Sequence, residues 1–341
     1  MRQTSVSLMW LAVSSGVHAQ AVSLTQQNAQ RATQALTFLI QGPGECLFQH
    51  TDLPVAAPSK NMAALWLRAI FHDAGTYNAA SGSGGLDGSL QFAPEGTDEV
   101  NMGIPPSLAS RFIPSSNSIS PADMVALGGI VTVAVCGGPQ VPFRAGRLSS
   151  NTSNNVADLP SDAFAPVSTI KAGFLRMGLS ALDMVTLTTG SHSMGGAHAV
   201  ISPNITKADF EPFDNTPGVF DNDIFKQVLA GKCVIPIDCA FAKDPELLPY
   251  IQQFAKDQSA FFAQYAISFE KMLNLNRANL SDPITVMISQ HANLLAEGIW
   301  PQSNASATAS NTATVTTKSN AENYNGCGAL ACLTAALLFL V

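Results

Sequence analysis

Residues 67–91, LRAIFHDAGTYNAASGSGGLDGSLQ, decide how this chain of 341 residues is read. Arg68 and His72 stand four apart, so on a helix they project from one face, one turn apart. An imidazole can take a proton and return it near neutral pH, and a guanidinium beside it stays charged throughout. Asp73, Asp87 and Ser89 follow with glycines between them, and they offer the oxygen ligands that a hard cation prefers. A base, a fixed cation and a carboxylate-rich loop are thus held within a single short segment.

Working outward, Asn101 in EVNMG (99–103) offers a side-chain carbonyl to the second nitrogen of His72, which would fix the tautomer. A second histidine lies far along the chain in SALDMVTLTTGSHSMGG (180–196). Ser180 and Asp183 predict a capping box, so His192 falls near the end of an amphipathic helix, with glycines following that permit close approach. His198 competes for the same role but lies beyond Gly195-Gly196, in a predicted loop. Asp257 stands just before a long helix and is the expected carboxylate partner of His192. Asp214 to Asp221, DNTPGVFD, holds carboxylates at both ends, a hydroxyl between them and a Pro-Gly turn, which reads as a second cation loop tied to the chain at Ser193.

The remaining pattern is mostly helical, with few and short strand signals. Ser120-Pro121-Ala122-Asp123 predicts a capped helix running into the apolar stretch Met124 to Val135. Phe262, Ala266, Phe269 and Leu273 fall on one face of another helix. The segment 141–162 is polar and turn-rich and reads as the join between two halves. A net charge of −7, with no basic stripe, argues against nucleic acid.

The ends add an expectation about location. Arg2, an apolar run over 6–13 and Val17-His18-Ala19 read as a signal peptide spanning 1–19. The main domain then occupies 20–300, followed by a Ser/Thr-rich linker at 301–325 and an apolar tail at 326–341 that resembles a GPI-attachment signal. The expectation is a secreted or cell-surface protein, with the membrane reached only through that anchor. Outside the tail four cysteines allow three pairings, of which Cys46–Cys136 with Cys233–Cys239 is preferred.

Over roughly Ala63 to Leu273 these motifs resemble the plant/fungal/bacterial haem peroxidase superfamily. LRAIFHDAG is similar to its distal signature, with Phe71 before the histidine as in the secreted classes; MVTLTTGSHSMG is similar to its proximal signature. FAKDQSAFFAQYAISFEKM is closer to cytochrome c and ascorbate peroxidases, so the chain reads as a fungal secreted form with some features of that class. The resemblance implies an all-α, two-lobed fold with haem b between a distal and a proximal helix. It implies Arg68, His72 and Asn101 as catalytic residues, His192 as axial iron ligand, Asp257 as its partner, and Phe71 and Phe213 against the haem. It also implies two calcium ions, one on Asp73, Gly85, Asp87 and Ser89, the other on Ser193, Asp214, Thr216, Val219 and Asp221.

The departures from the family concern the reductant. Manganese-binding glutamates are replaced by Asn61 and Leu65, and the exposed tryptophan of high-potential members by Leu187. Phe213 stands for the radical-bearing tryptophan of cytochrome c peroxidase, and an arginine that holds ascorbate is missing. The implied activity is reduction of hydrogen peroxide by a monomer that oxidises small phenolic or aromatic donors. Two alternatives are a haem-binding surface protein without turnover and a metal-dependent hydrolase built on His72 and Asp73. The first predicts a Soret band that peroxide does not shift, and the second predicts no Soret band at all.

Overall fold

The computed structural model describes residues 26–37, 40, 46, 62–104, 119–275 and 280–288. All of these belong to one compact unit, Met1–Trp300. The expected signal peptide, Ser/Thr-rich linker and apolar tail lie outside the described residues, as does Asn61. No described helix is long and apolar enough to cross a membrane.

The all-α expectation holds. Helix α1 covers 26–37. It is followed by α2 (Met62–Ala74), α3 (Pro121–Val135), α4 (Val167–Arg176) and α5 (Ala181–Ser191). The last four are α6 (Asp223–Leu229), α7 (Pro236–Phe241), α8 (Leu248–Lys256) and α9 (Gln258–Leu273). The strands named among the described residues are two residues long, Gly196–Ala197 antiparallel to Glu211–Pro212. Both preferred disulfides form, Cys46–Cys136 and Cys233–Cys239.

Helix α3 begins as its sequence predicts, with Ser120 capping the Asp123 amide and proline in the first turn. It is apolar around its whole circumference and nearly all of it is buried, as expected of a central helix. Gly128 and Gly129 bring it against α2. A β-carbon at 128 would lie 2.3 Å from the Trp66 ring, and one at 129 would lie 1.7 Å from Ile70. Overpacking of this kind costs about 1–3 kcal/mol, so the two glycines fix how closely α3 approaches the helix that carries His72.

Helix α5 packs on α9 through Gly190, where a β-carbon would meet the Phe261 ring at 2.6 Å. The buried face of α9 is Phe261, Tyr265, Ser268 and Met272, with Phe269 and Leu273 beside it. The expected stripe through Phe262 and Ala266 is therefore turned by about one residue, and both of those are only half-buried. The apolar count missed this because the true face includes a polar position. Ser268 is fully buried and donates to Asp183 Oδ1 at 2.8 Å.

The join at 141–162 is irregular apart from one short turn of helix, Val156–Asp158. Polar contacts pin it. Asp123 accepts from the amides of Gly146 and Arg147 and from the Arg147 guanidinium at 2.9 Å. Arg147 also donates to the Leu273 carbonyl, so the start of α3 and the end of α9 share one buried ion pair.

Candidate active site

Helix α2 sets Arg68 and His72 on one face, as their spacing requires. His72 is buried, and its Nδ1 lies 2.6 Å from Asn101 Oδ1. Burial, with the positive charge of Arg68 second, pushes the imidazole down to about 3, so it is neutral at ordinary pH. A neutral ring that donates from Nδ1 to the amide oxygen keeps its lone pair on Nε2. Asn101 is itself held, because its Nδ2 donates to the Glu95 carbonyl at 2.9 Å. Arg68 donates to the carbonyls of Met102 (2.7 Å) and Val100 (2.6 Å). Burial lowers it to about 10, which leaves it charged at neutral pH.

Helix α5 starts with the predicted capping box and ends at His192, whose amide closes the last turn. The carboxylate partner of His192 is Asp238, with Oδ2 2.7 Å from Nδ1. Asp238 is 2% exposed, and its other oxygen accepts from Thr189 Oγ1 at 2.7 Å. This corrects the choice of Asp257. That residue is exposed and caps α9, accepting from the Ala260 amide at 3.1 Å. Asp238 sits in the six-residue helix α7, in IPIDCAF, where no spacing or cap marks it out in the sequence. Phe213 lies against His192, with ring centroids 5.1 Å apart.

Between the two histidines opens a cavity of about 680 Å³. Arg68, Phe71 and His72 line it from one side, and Leu187, His192 and Phe213 from the other. His198, in the loop its sequence predicts, lines it too. Its Nδ1 is bonded to the Asp209 carbonyl at 2.5 Å. A mostly apolar slot with His72 and His192 on opposite walls, each already bonded through Nδ1, is a fitting receptacle for a porphyrin.

The two expected cation loops differ. In the distal loop Asp73 accepts from the Gly88 amide at 2.7 Å, the Leu90 amide at 3.4 Å and Ser89 Oγ at 3.2 Å. The amide nitrogen of Asn154 lies 3.2 and 3.1 Å from the Asp87 oxygens and 2.9 Å from Ser89 Oγ. Gly85 donates its amide to Thr76 Oγ1 at 3.2 Å. Of the expected calcium set Asp73, Gly85, Asp87 and Ser89, Asp87 and Ser89 thus meet on a protein donor, the Asn154 side-chain amide, while Asp73 is bonded to Gly88, Leu90 and Ser89. Burial, then the neighbouring Asp87 charge, pushes Asp73 up to about 8.

In the proximal loop Ser193 Oγ, Asp214 Oδ2 and Thr216 Oγ1 are buried with no hydrogen-bond partner among the described residues. Burial is the main cause that raises Asp214 to about 7, with Asp221 and Asp223 adding to it. The Val219 amide donates to the Thr216 carbonyl at 2.8 Å, and Asp221 Oδ1 accepts from the Asp223 amide at 2.8 Å. No cluster of three or more His, Cys, Asp or Glu suited to a metal occurs among the described residues. A cation here would depend on hydroxyl and carbonyl oxygens beside the carboxylates, which is the habit of calcium. Buried oxygens without hydrogen-bond partners fit such an ion.

The peroxidase family model matches residues 50–257. L-ascorbate peroxidase 5, peroxisomal, of Arabidopsis thaliana is 35% identical over 231 residues, 66% of this chain and 80% of that protein. Peroxisomal L-ascorbate peroxidase 3 of Arabidopsis's fellow plant Oryza sativa subsp. japonica, named as probable, is also 35% identical, over 66% of this chain and 77% of its own. L-ascorbate peroxidase 2, cytosolic, of Arabidopsis thaliana is 32% identical over 64% and 87%. These relatives are named for the peroxisome and the cytosol, and they overturn the expectation of a secreted or surface-anchored protein. The leaning toward the secreted class rested on Phe71 and on chain ends that lie outside the described residues. With the helical fold, the paired imidazoles and the family match together, this chain belongs to the plant, fungal and bacterial haem peroxidase superfamily and is an oxidoreductase of that kind.

Proposed function

We propose that this peroxidase consumes hydrogen peroxide with His72 as both base and acid, Arg68 as the stabilising charge and His192 as the axial ligand of haem b. The observation that carries this reading is the cavity bounded by two imidazoles with different partners, an amide oxygen at His72 and a carboxylate at His192. Bound haem would supply the iron that accepts oxidation by peroxide and passes it on in single-electron steps.

The side chains divide the remaining work. Asn101 holds the His72 Nδ1 proton, so Nε2 can take a proton from incoming peroxide and hand it to the departing oxygen. Arg68, fixed by two carbonyls, offsets negative charge as the O–O bond lengthens. Asp238 accepts from His192 Nδ1, which would make the ring a stronger donor to a bound iron. Phe71 and Phe213 shape the apolar walls against the ring. In the proximal loop Ser193, Asp214, Thr216, Val219 and Asp221 would hold one calcium ion and so steady the turn after His192.

The reductants we propose are small aromatic molecules that enter at the mouth of the cavity, where Phe164 is 60% exposed. Ascorbate is a second reading, favoured by the names of the relatives. The test is a turnover assay on the haem-loaded protein with peroxide and each donor in parallel. Faster turnover with phenols supports the first reading, and faster turnover with ascorbate replaces it. An absorption spectrum that peroxide leaves unchanged would overturn the role given to His72.

A further inference from the structure

We infer that the side-chain amide of Asn154 occupies the place of a cation in the distal loop, so that this loop is closed by protein and takes no calcium. The contrast with the proximal loop is one of hydrogen-bond accounting. There Ser193 Oγ, Asp214 Oδ2 and Thr216 Oγ1 are buried with no hydrogen-bond partner, whereas Glu95 Oε1 is the one such oxygen beside the distal loop among the described residues. In the distal loop one nitrogen stands within 2.9–3.4 Å of four oxygens, namely both of Asp87, Ser89 Oγ and Thr76 Oγ1. A calcium ion gathers six to eight oxygens around a centre. An amide NH2 carries its positive partial charge on two hydrogens, so without an ion it can donate to oxygens gathered around it.

Asn154 is held at both ends of the residue. Its main-chain amide donates to Glu95 Oε2 at 2.6 Å, while the side chain reaches into the loop. The same Glu95 offers its carbonyl to Asn101 Nδ2, and Asn101 bonds His72. The other wall of the loop is Asp73, next in sequence to His72, with its two oxygens bonded to Gly88, Leu90 and Ser89. Asn154 is therefore a positioning residue that reaches the distal imidazole from two directions. It comes from the irregular join, so a distant part of the chain is tied to α2 through these bonds.

The experiment is the metal content of the haem-loaded protein, equilibrated with calcium, desalted and measured by elemental analysis. Asp87→Asn and Asp214→Asn are compared with the parent. The expected result is that Asp87→Asn leaves the calcium content unchanged. Loss of one ion per chain in that variant overturns the inference, whatever the proximal loop does. Failure of the proximal proposal would read differently, as a content that Asp214→Asn does not lower.

A second variant guards against a loop that simply misfolds. Asn154→Gly, made in the Asp214→Asn background, removes the amide and opens its place. It is expected to bind calcium that the Asp214→Asn parent does not, with a thermal midpoint that rises on calcium addition. No gain of calcium would mean that the amide is not what keeps the ion out, and would also overturn the inference.

Discussion

His72 and His192 are the same side chain, each bonded through Nδ1 at nearly the same distance, 2.6 Å to Asn101 and 2.7 Å to Asp238. The partner separates their chemistry. An amide oxygen fixes the tautomer of His72 while adding no charge, and burial keeps the ring neutral. A carboxylate adds a full negative charge behind His192 and favours donation to a metal. In the function proposed above one imidazole exchanges protons and the other holds an ion, and neither role is written in the histidine itself.

The largest expected effect comes from removing the distal ring. His72→Leu should slow peroxide consumption by about 10²–10⁴-fold, the usual contribution of a positioned acid–base group, while the haem absorption band persists. Stopped-flow mixing with peroxide measures it, and an unchanged rate breaks the distinction between the two rings. Asp238→Asn should weaken haem retention or turnover by about 10–100-fold, as for other partners of metal-bound histidines. Titration of the protein with haem, read by absorption, checks it.

The comparison can also be blurred on purpose. Asn101→Asp puts a carboxylate beside His72, and an opposite charge favours imidazolium, so the pKa rises from about 3. In the parent the ring stays neutral from neutral pH down toward 3, and the rate falls only as pH drops through that value. In the variant the loss should begin at higher pH, and a pH–rate profile reads the shift. An unmoved acid limb would mean that the partner does not set the ring's charge. The smallest effect is at Asp257. Its replacement by alanine removes a helix cap and should cost about 1 kcal/mol of stability, with peroxide turnover unaffected. A turnover loss as large as that of Asp238→Asn would reverse the assignment of partners.

Arg68 and His72 were legible in sequence because helical spacing puts them on one face, and Asn101, 29 residues from His72, was legible through the resemblance of its segment. His192 was legible from its capping box. Its partner was not, because Asp238 comes from a short helix 46 residues away, and what unites them is packing between elements. The Asp257 choice followed a real signal, an acid at a helix start, but that signal described a cap. The two cation loops look alike as strings of Asp, Ser and Gly. They were told apart only by Asn154, whose segment reads as featureless polar chain. In α9 the buried Ser268 shows how one polar residue in a core face can turn an apolar stripe.

The bridge between Cys233 and Cys239 encloses Asp238 in a covalent ring. The carboxylate behind the proximal imidazole is therefore anchored by a bond that thiols can open as well as by packing. A reductant that reached this small ring would leave every iron-facing side chain chemically intact and yet slacken the tether on one of them.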